Sequence, residues 1–114
     1  EARAASGVRE SAAALRNLAF VQDARGEYEA AKATIERAIA IRRRVHGDEH
    51  PEMAALLGIL GLVQRHRGEY EASSAAFARA LAIQEKALPA DHPEIAGAHR
   101  GLAHAAALRG DVTA

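Results

Sequence analysis

Apolar and small residues recur every three to four positions along most of this chain, with charged residues between them. That spacing marks one face of an α-helix. From about Glu10 to Arg25 the stripe is Ser11, Leu15, Leu18, Ala19 and Gln22. From about Glu27 to Val45 it is Tyr28, Ala31, Ile35, Ala38, Ile39 and Val45, with Ile41 beside it. The pattern resumes from about Pro51 to Arg67 with Leu57, Leu60, Gly61 and Gln64. It continues from about Glu69 to Leu88 with Tyr70, Ser73, Phe77, Ala80 and Leu81. A fifth stretch, about Pro93 to Arg109, carries Leu102 and Ala103, with His99 where the earlier copies have leucine. Five helices are predicted and no strand. Residues 1–7 read as a lead-in, or as the tail of a preceding helix that Gly7 ends.

The breaks between stripes have their own chemistry. Gly26 and Gly68 stop the first and third helices, and Gly47 can end the second. Pro51 and Pro93 fit the first turn of a helix, where the missing N–H is not needed. Glu27 and Glu29 open the second helix and Arg42, Arg43 and Arg44 lie near its end, which matches the helix dipole at both termini.

The stripes also repeat. Gly26-Glu27-Tyr28-Glu29-Ala30 returns as Gly68-Glu69-Tyr70-Glu71-Ala72, 42 residues later, and Gly110-Asp111-Val112 begins it again. Residues 9–50 and 51–92 agree at 19 of 42 positions. The shared positions are mostly the packing residues and the turn. Self-similarity at a fixed period predicts stacked units that bury their faces only against neighbours. The whole chain, 1–114, reads as one domain: repeats at about 9–50 and 51–92 and a partial one at 93–114. Small residues at Ala19, Gly61, Ala103, Ala38 and Ala80 let helix axes approach. Bulky ones at Leu18, Leu60, Leu102, Ile35 and Phe77 fill the gaps.

With these residues in view, the chain resembles the tetratricopeptide repeat (TPR) family in its long 42-residue form, as in kinesin light chains and many bacterial proteins. The positions that carry the likeness are Leu15, Leu18-Ala19, Gly26, Tyr28, Ala31, Ile35 and Ala38. The second set is Leu57, Leu60-Gly61, Gly68, Tyr70, Ser73, Phe77 and Ala80. The linkers Asp48-Glu49-His50-Pro51 and Asp91-His92-Pro93 are characteristic of the long form. The likeness covers about residues 8–112. It implies an all-α fold: a right-handed superhelix of antiparallel helix pairs, about two and a half repeats. It also implies a protein-binding scaffold without catalysis, whose first helices line a concave groove.

Composition narrows the function. The chain has 114 residues, no cysteine, and 15 basic against 15 acidic side chains. No basic surplus favours phosphate, so nucleic acid is not an expected partner. Disulfides and thiolate metal sites are excluded. No apolar run approaches the roughly 18–20 residues that span a bilayer, and no signal peptide is visible; a cytoplasmic setting is expected. Alanine- and arginine-rich, lysine-poor usage points to a GC-rich bacterial gene. The chain starts at Glu1 and stops within a recurring motif, so it reads as a piece of a longer multidomain protein.

Candidate chemistry is sparse. His46 and His50 are four apart across Gly47, and His99 and His104 are five apart on different faces, so no set of metal ligands converges. His50 and His92 sit in equivalent linkers, where capping or bracing the turn explains them. Ser73 and Ser74 lack a recognisable His and Asp arrangement. Gly58, Gly61, Gly97 and Gly101 follow no strand and are read as close helix packing. Arg42–Arg44 reads as a solvated helix end before an acidic-partner site. No catalytic residue, cofactor or metal is expected.

By the resemblance, Ala13, Arg16, Asn17, Phe20 and Asp23 point into the groove. They are followed by Ala55, Gly58, Ile59, Leu62 and Arg65, then by Gly97, Arg100, Gly101, His104 and Ala107. The repeats that grip a chaperone's C-terminal carboxylate need Lys/Asn residues at positions held here by Arg16, Phe20, Ile59, Gly97 and Gly101, and only Arg16 fits. The asparagine pair of kinesin light chains is reduced to Asn17. What remains is a floor of Phe20, Ile59 and Leu62 with Arg16, Arg65 and Arg100 around it. The preferred partner is a protein or peptide with apolar anchors and some acidic character. Self-association is the rival expectation, and an accessory role beside an enzyme encoded elsewhere in the parent is the third.

Overall fold

A computed structural model describes residues 11–109 as five α-helices. They are α1 (Ala12–Ala24), α2 (Tyr28–His46), α3 (Pro51–His66), α4 (Tyr70–Ala87) and α5 (Pro93–Arg109). Their ends fall within a residue or two of those predicted from the apolar spacing. The lead-in at 1–7, Glu10 and the third glycine turn at Gly110-Asp111-Val112 lie outside the described residues.

Each repeated turn closes in the same way. Gly26 and Gly68 take positive φ, 82° and 83°. The Glu27 N–H then donates to the Gln22 carbonyl at 2.8 Å, and the Gly26 N–H to the Asp23 carbonyl at 3.0 Å. Glu69 to Gln64 and Gly68 to Arg65 repeat both bonds at the same distances. This is the Schellman closure, and a Cβ at the positive-φ position would strain it. Ser11 caps α1 by accepting from the Ala14 N–H at 3.0 Å. The linker histidines are caps too: Nδ1 of His50 accepts from the Glu52 N–H and Nδ1 of His92 from the Glu94 N–H, each at 3.1 Å. Pro51 follows His50 at the start of α3. The cap explains why His-Pro recurs at this place in both copies.

Each helix packs on the next in sequence, which gives antiparallel pairs. The odd-numbered helices also approach one another, α1 with α3 and α3 with α5, whereas the backbones of α2 and α4 stand farther apart. The chain is therefore curved, with α1, α3 and α5 as the inner layer of a helical solenoid and α2 and α4 outside. Leu15, Ile35, Ile39, Met53, Leu56 and Ile83 form the core with the fully buried Ala19 and Ala38 and the nearly buried Ala80. Ser73, wholly buried, donates to the Gly61 carbonyl at 2.6 Å and ties α4 to α3.

Some expected inner residues are outside. Leu18 is 46% exposed and Val45 66%. Leu18 and Val21 occupy the α1 face that corresponds, on α3, to Leu60 and Val63. There α2 lies over the face, and Val63 is fully buried. No described helix covers α1 in that way. Val45 lies in the last turn of α2, beyond the layer it was expected to join. In α4, Ile83 at 1% exposure takes the core place given to Leu81, which is half-buried. Ala103 is exposed, because no described helix follows α5 to cover it.

Candidate functional site

The concave face is built by α3 and α5, and its floor is a ring from the outer layer. Phe77 of α4 is buried at 7% exposure and lies between the backbones of the two inner helices. A Cβ built on Gly61 would sit 2.8 Å from Phe77 Cε2, and one on Gly101 2.5 Å from Phe77 Cε1. Both glycines are therefore made necessary by the ring. In the first repeat the matching positions are Ile35, Ala19 and Ile59, a smaller side chain between larger neighbours.

Gly58 and Gly97 behave differently. A Cβ at Gly58 would meet nothing within 4 Å, and one at Gly97 only Nη2 of Arg100 at 3.6 Å. Reading all four glycines as close packing holds for Gly61 and Gly101 and fails for the other two. Gly58 and Gly97 instead hold a cleft open between α3 and α5. One lobe, about 400 Å³, brings Leu62, Arg65, Arg100 and His104 together over Phe77. A second lobe, about 240 Å³, runs past Phe77 to Gln84 and Glu94.

The structure thus gathers four of the expected groove residues, Leu62, Arg65, Arg100 and His104, into one place. Ile59 is half-buried and packs against the core edge, so it serves the fold as much as the groove. Arg16, Asn17 and Phe20 lie on α1, outside this cleft; Phe20 is 56% exposed. Asp23 is not offered to a partner. It is buried at 5% exposure, and its carboxylate oxygens lie 2.9 and 3.0 Å from Nδ1 of His66. The His66 ring in turn lies against Tyr28, with centroids 5.2 Å apart, so the three residues lock the first turn to the end of α3. Sequence reasoning placed Phe77 in the packing and left out Gln84 and Glu94. The paired glycines 58 and 97, against Arg16 and Ala55 in the preceding copy, were the legible signal.

Polar groups elsewhere are engaged in holding the solenoid. Arg42 pairs with Glu52 at 2.7 Å, and Arg43 with Asp48, so two of the three arginines brace the linker instead of standing free in solvent. Glu69 accepts from Lys32 at 3.1 Å and from Arg67 at 3.0 Å, which holds its carboxyl below the usual carboxylate range, Lys32 contributing most. His46 and His50 stack at 4.3 Å. No group of three or more His, Cys, Asp or Glu capable of holding a metal occurs among the described residues. No described helix is long and apolar enough to cross a membrane.

Comparison with known proteins places this geometry. The tetratricopeptide repeat profile matches residues 10–86. No curated protein matches the chain. Two crystal structures of a Podosopora anserina kinesin light chain candidate with nearly identical TPR-like repeats, one of them a single-substitution variant, superpose with a TM-score of 0.79 at 26% identity. The alignment covers 87% of this chain and 47% of those, so the chain spans about half the length of the structures it matches.

Proposed function

This chain belongs to the tetratricopeptide repeat family, and we propose that it is a non-catalytic protein-interaction module that holds a partner's peptide or helix in the cleft between α3 and α5. Repeats of this family are generally protein-interaction modules, and the proposal concerns where and how this one binds. The cleft itself is the observation that carries the reading. It combines an aromatic floor at Phe77, an apolar wall at Leu62 and cations at Arg65 and Arg100. An apolar pocket rimmed by convergent polar groups is the usual form of a binding site. The cations favour an acidic residue in the partner, placed beside an apolar anchor.

Peptides selected from a random displayed library against the whole chain test this. Leu62→Glu is expected to abolish their binding and Phe20→Ala, on α1 outside the cleft, to leave it intact, with helicity and Tm nearly unchanged, since neither side chain is buried. Binding that survives Leu62→Glu, or that Phe20→Ala abolishes, moves the site out of this cleft.

Self-association is the second reading, favoured by the open α1 face. Leu18 and Val21 are 46% and 49% exposed. A helix from a second copy could lie there as α2 lies on α3. Molar mass by light scattering over a wide concentration range distinguishes the two, because this reading requires mass to rise with concentration and to fall back in Val21→Lys.

A further inference from the structure

We infer that the second lobe of the cleft, lined by Gln84 and Glu94, takes a lysine side chain of the partner, with its ammonium on Glu94. The inference rests on the groove reading above and specifies which partner that groove selects.

The two repeats differ at one ion pair. In the first, Arg42 of α2 reaches across the linker to Glu52 at the start of α3, with Nη2 and Oε1 2.7 Å apart. The same positions 42 residues on are Gln84 and Glu94. The carboxylate has been kept and its cation replaced by a neutral amide. The substitute is poor. Gln84 Nε2 donates to Glu94 Oε1 at 3.5 Å, the limit of a hydrogen bond. Gln84 is 5% exposed, and its Oε1 has no partner among the described residues. That oxygen is closed off from solvent, so the group open to an incoming cation is the exposed Glu94 carboxylate, which lines the lobe beside Gln84.

The shape of the lobe selects among cations. Its volume, about 240 Å³, lies below the roughly 300–1,000 Å³ typical of small-molecule sites, which suits one side chain. The walls are Ala54, Gly58, Gly97 and Ala98, and Phe77 forms the floor. An unbranched methylene stem packs along such walls and carries a compact ammonium to the Glu94 carboxylate. A planar guanidinium fork is bulkier than an ammonium in a lobe of about 240 Å³. The cations Arg65 and Arg100 line the other lobe. Arg100 lies six residues beyond Glu94 on α5, roughly 9 Å along the axis. The groove therefore has a negative pole and a positive pole on either side of Phe77. A partner segment with a lysine at one end, an apolar residue over Phe77 and an acidic residue at the other end matches both.

The test uses peptides selected from a random displayed library, resynthesised with lysine, arginine, norleucine or glutamate at the most enriched cationic position, or at each position in turn if none is enriched. Affinities are measured by fluorescence anisotropy on the full chain and on two variants. Glu94→Gln removes the exposed carboxylate, and Gln84→Arg rebuilds the internal pair of the first repeat. Lysine is expected to exceed norleucine by about tenfold or more on the native chain. That advantage is expected to vanish on both variants. Norleucine or glutamate binding as well as lysine, or a lysine preference that survives Glu94→Gln, overturns the inference. Arginine outranking lysine overturns the choice of ammonium. Peptides that Leu62→Glu blocks without any lysine preference sink this inference and leave the groove reading standing. Peptides indifferent to Leu62→Glu, or the absence of any binder, count against both.

Discussion

Replacing glycine by alanine at four positions of the two helices that flank Phe77 should give opposite signs. At Gly58 and Gly97 the new methyl meets no protein atom closer than 3.6 Å. The change then acts mainly through helix propensity and stabilises by about 0.5–1 kcal/mol. At Gly61 and Gly101 the same propensity gain is present, but the methyl would lie 2.8 and 2.5 Å from the Phe77 ring. The ring cannot swing from one glycine without approaching the other. Overpacking of this kind costs about 1–3 kcal/mol. Gly101→Ala, with the shorter contact, should therefore be destabilised by about 1–2 kcal/mol net, a fall in Tm of about 5–10 °C for a domain of this size. Gly61→Ala should lie between Gly101→Ala and the native protein. Urea denaturation gives the four free energies. A second measurement tests the cause: in a Phe77→Ile background, which restores the Ile35–Ala19 pairing of the first repeat, Gly61→Ala should lose most of its cost. Gly101→Ala as stable as Gly58→Ala would refute the clamp.

Glu69 predicts an acid dependence. Its carboxyl is held below the usual range by Lys32 and then Arg67. A depressed folded pKa contributes stability that is fully present above the unfolded value, about 4.3, and is lost as pH falls through the folded value. The stability gap between the native chain and Glu69→Gln should be widest near neutral pH and close on acidification below the carboxylate range; a gap that persists there contradicts the assignment. Asp23→Ala should lower stability by about 1–3 kcal/mol, seen in urea denaturation, and should leave peptide affinity unchanged; a selective loss of affinity would return Asp23 to the groove. Val63→Ala should cost about 2 kcal/mol, and Val21→Ala, at the matching but open position, less than about 0.5 kcal/mol. Equal thermal shifts for that pair would mean that the α1 face is covered in solution. Ser73→Ala, which copies Ala31 of the first repeat, should cost about 1 kcal/mol through its bond to the Gly61 carbonyl.

The fold was legible because two signals coincided. The apolar period placed the helices. The return of Gly-Glu-Tyr and His-Pro at equal spacing fixed the turns, whose Schellman bonds and histidine caps demand those residues. The errors have a common origin. Leu18, Val45 and Ala103 have sequence neighbours that resemble those of buried counterparts, but whether a solenoid residue is covered depends on the helix stacked over it. The candidate cleft was half legible. Leu62, Arg65, Arg100 and His104 followed from the positions that the family resemblance assigns to the groove. Asp23 shared that assignment and was lost to His66, 43 residues away, which no periodicity indicates. Gly58 and Gly97 carried the decisive signal as a departure from the repeat. Their role depended on Phe77, a residue of the outer layer. Gln84 became meaningful only beside the Arg42–Glu52 pair it fails to reproduce.

The most direct test of the central claim is a map of amide chemical shifts on ¹⁵N-labelled chain as a selected peptide is added. Binding in the cleft predicts the largest changes at Gly58, Leu62, Gly97 and Gly101, with the Gln84 side-chain amide moving beside them. Changes concentrated on the outer helices α2 and α4, or along Leu18 and Val21 of α1, with those four amides still, would contradict it.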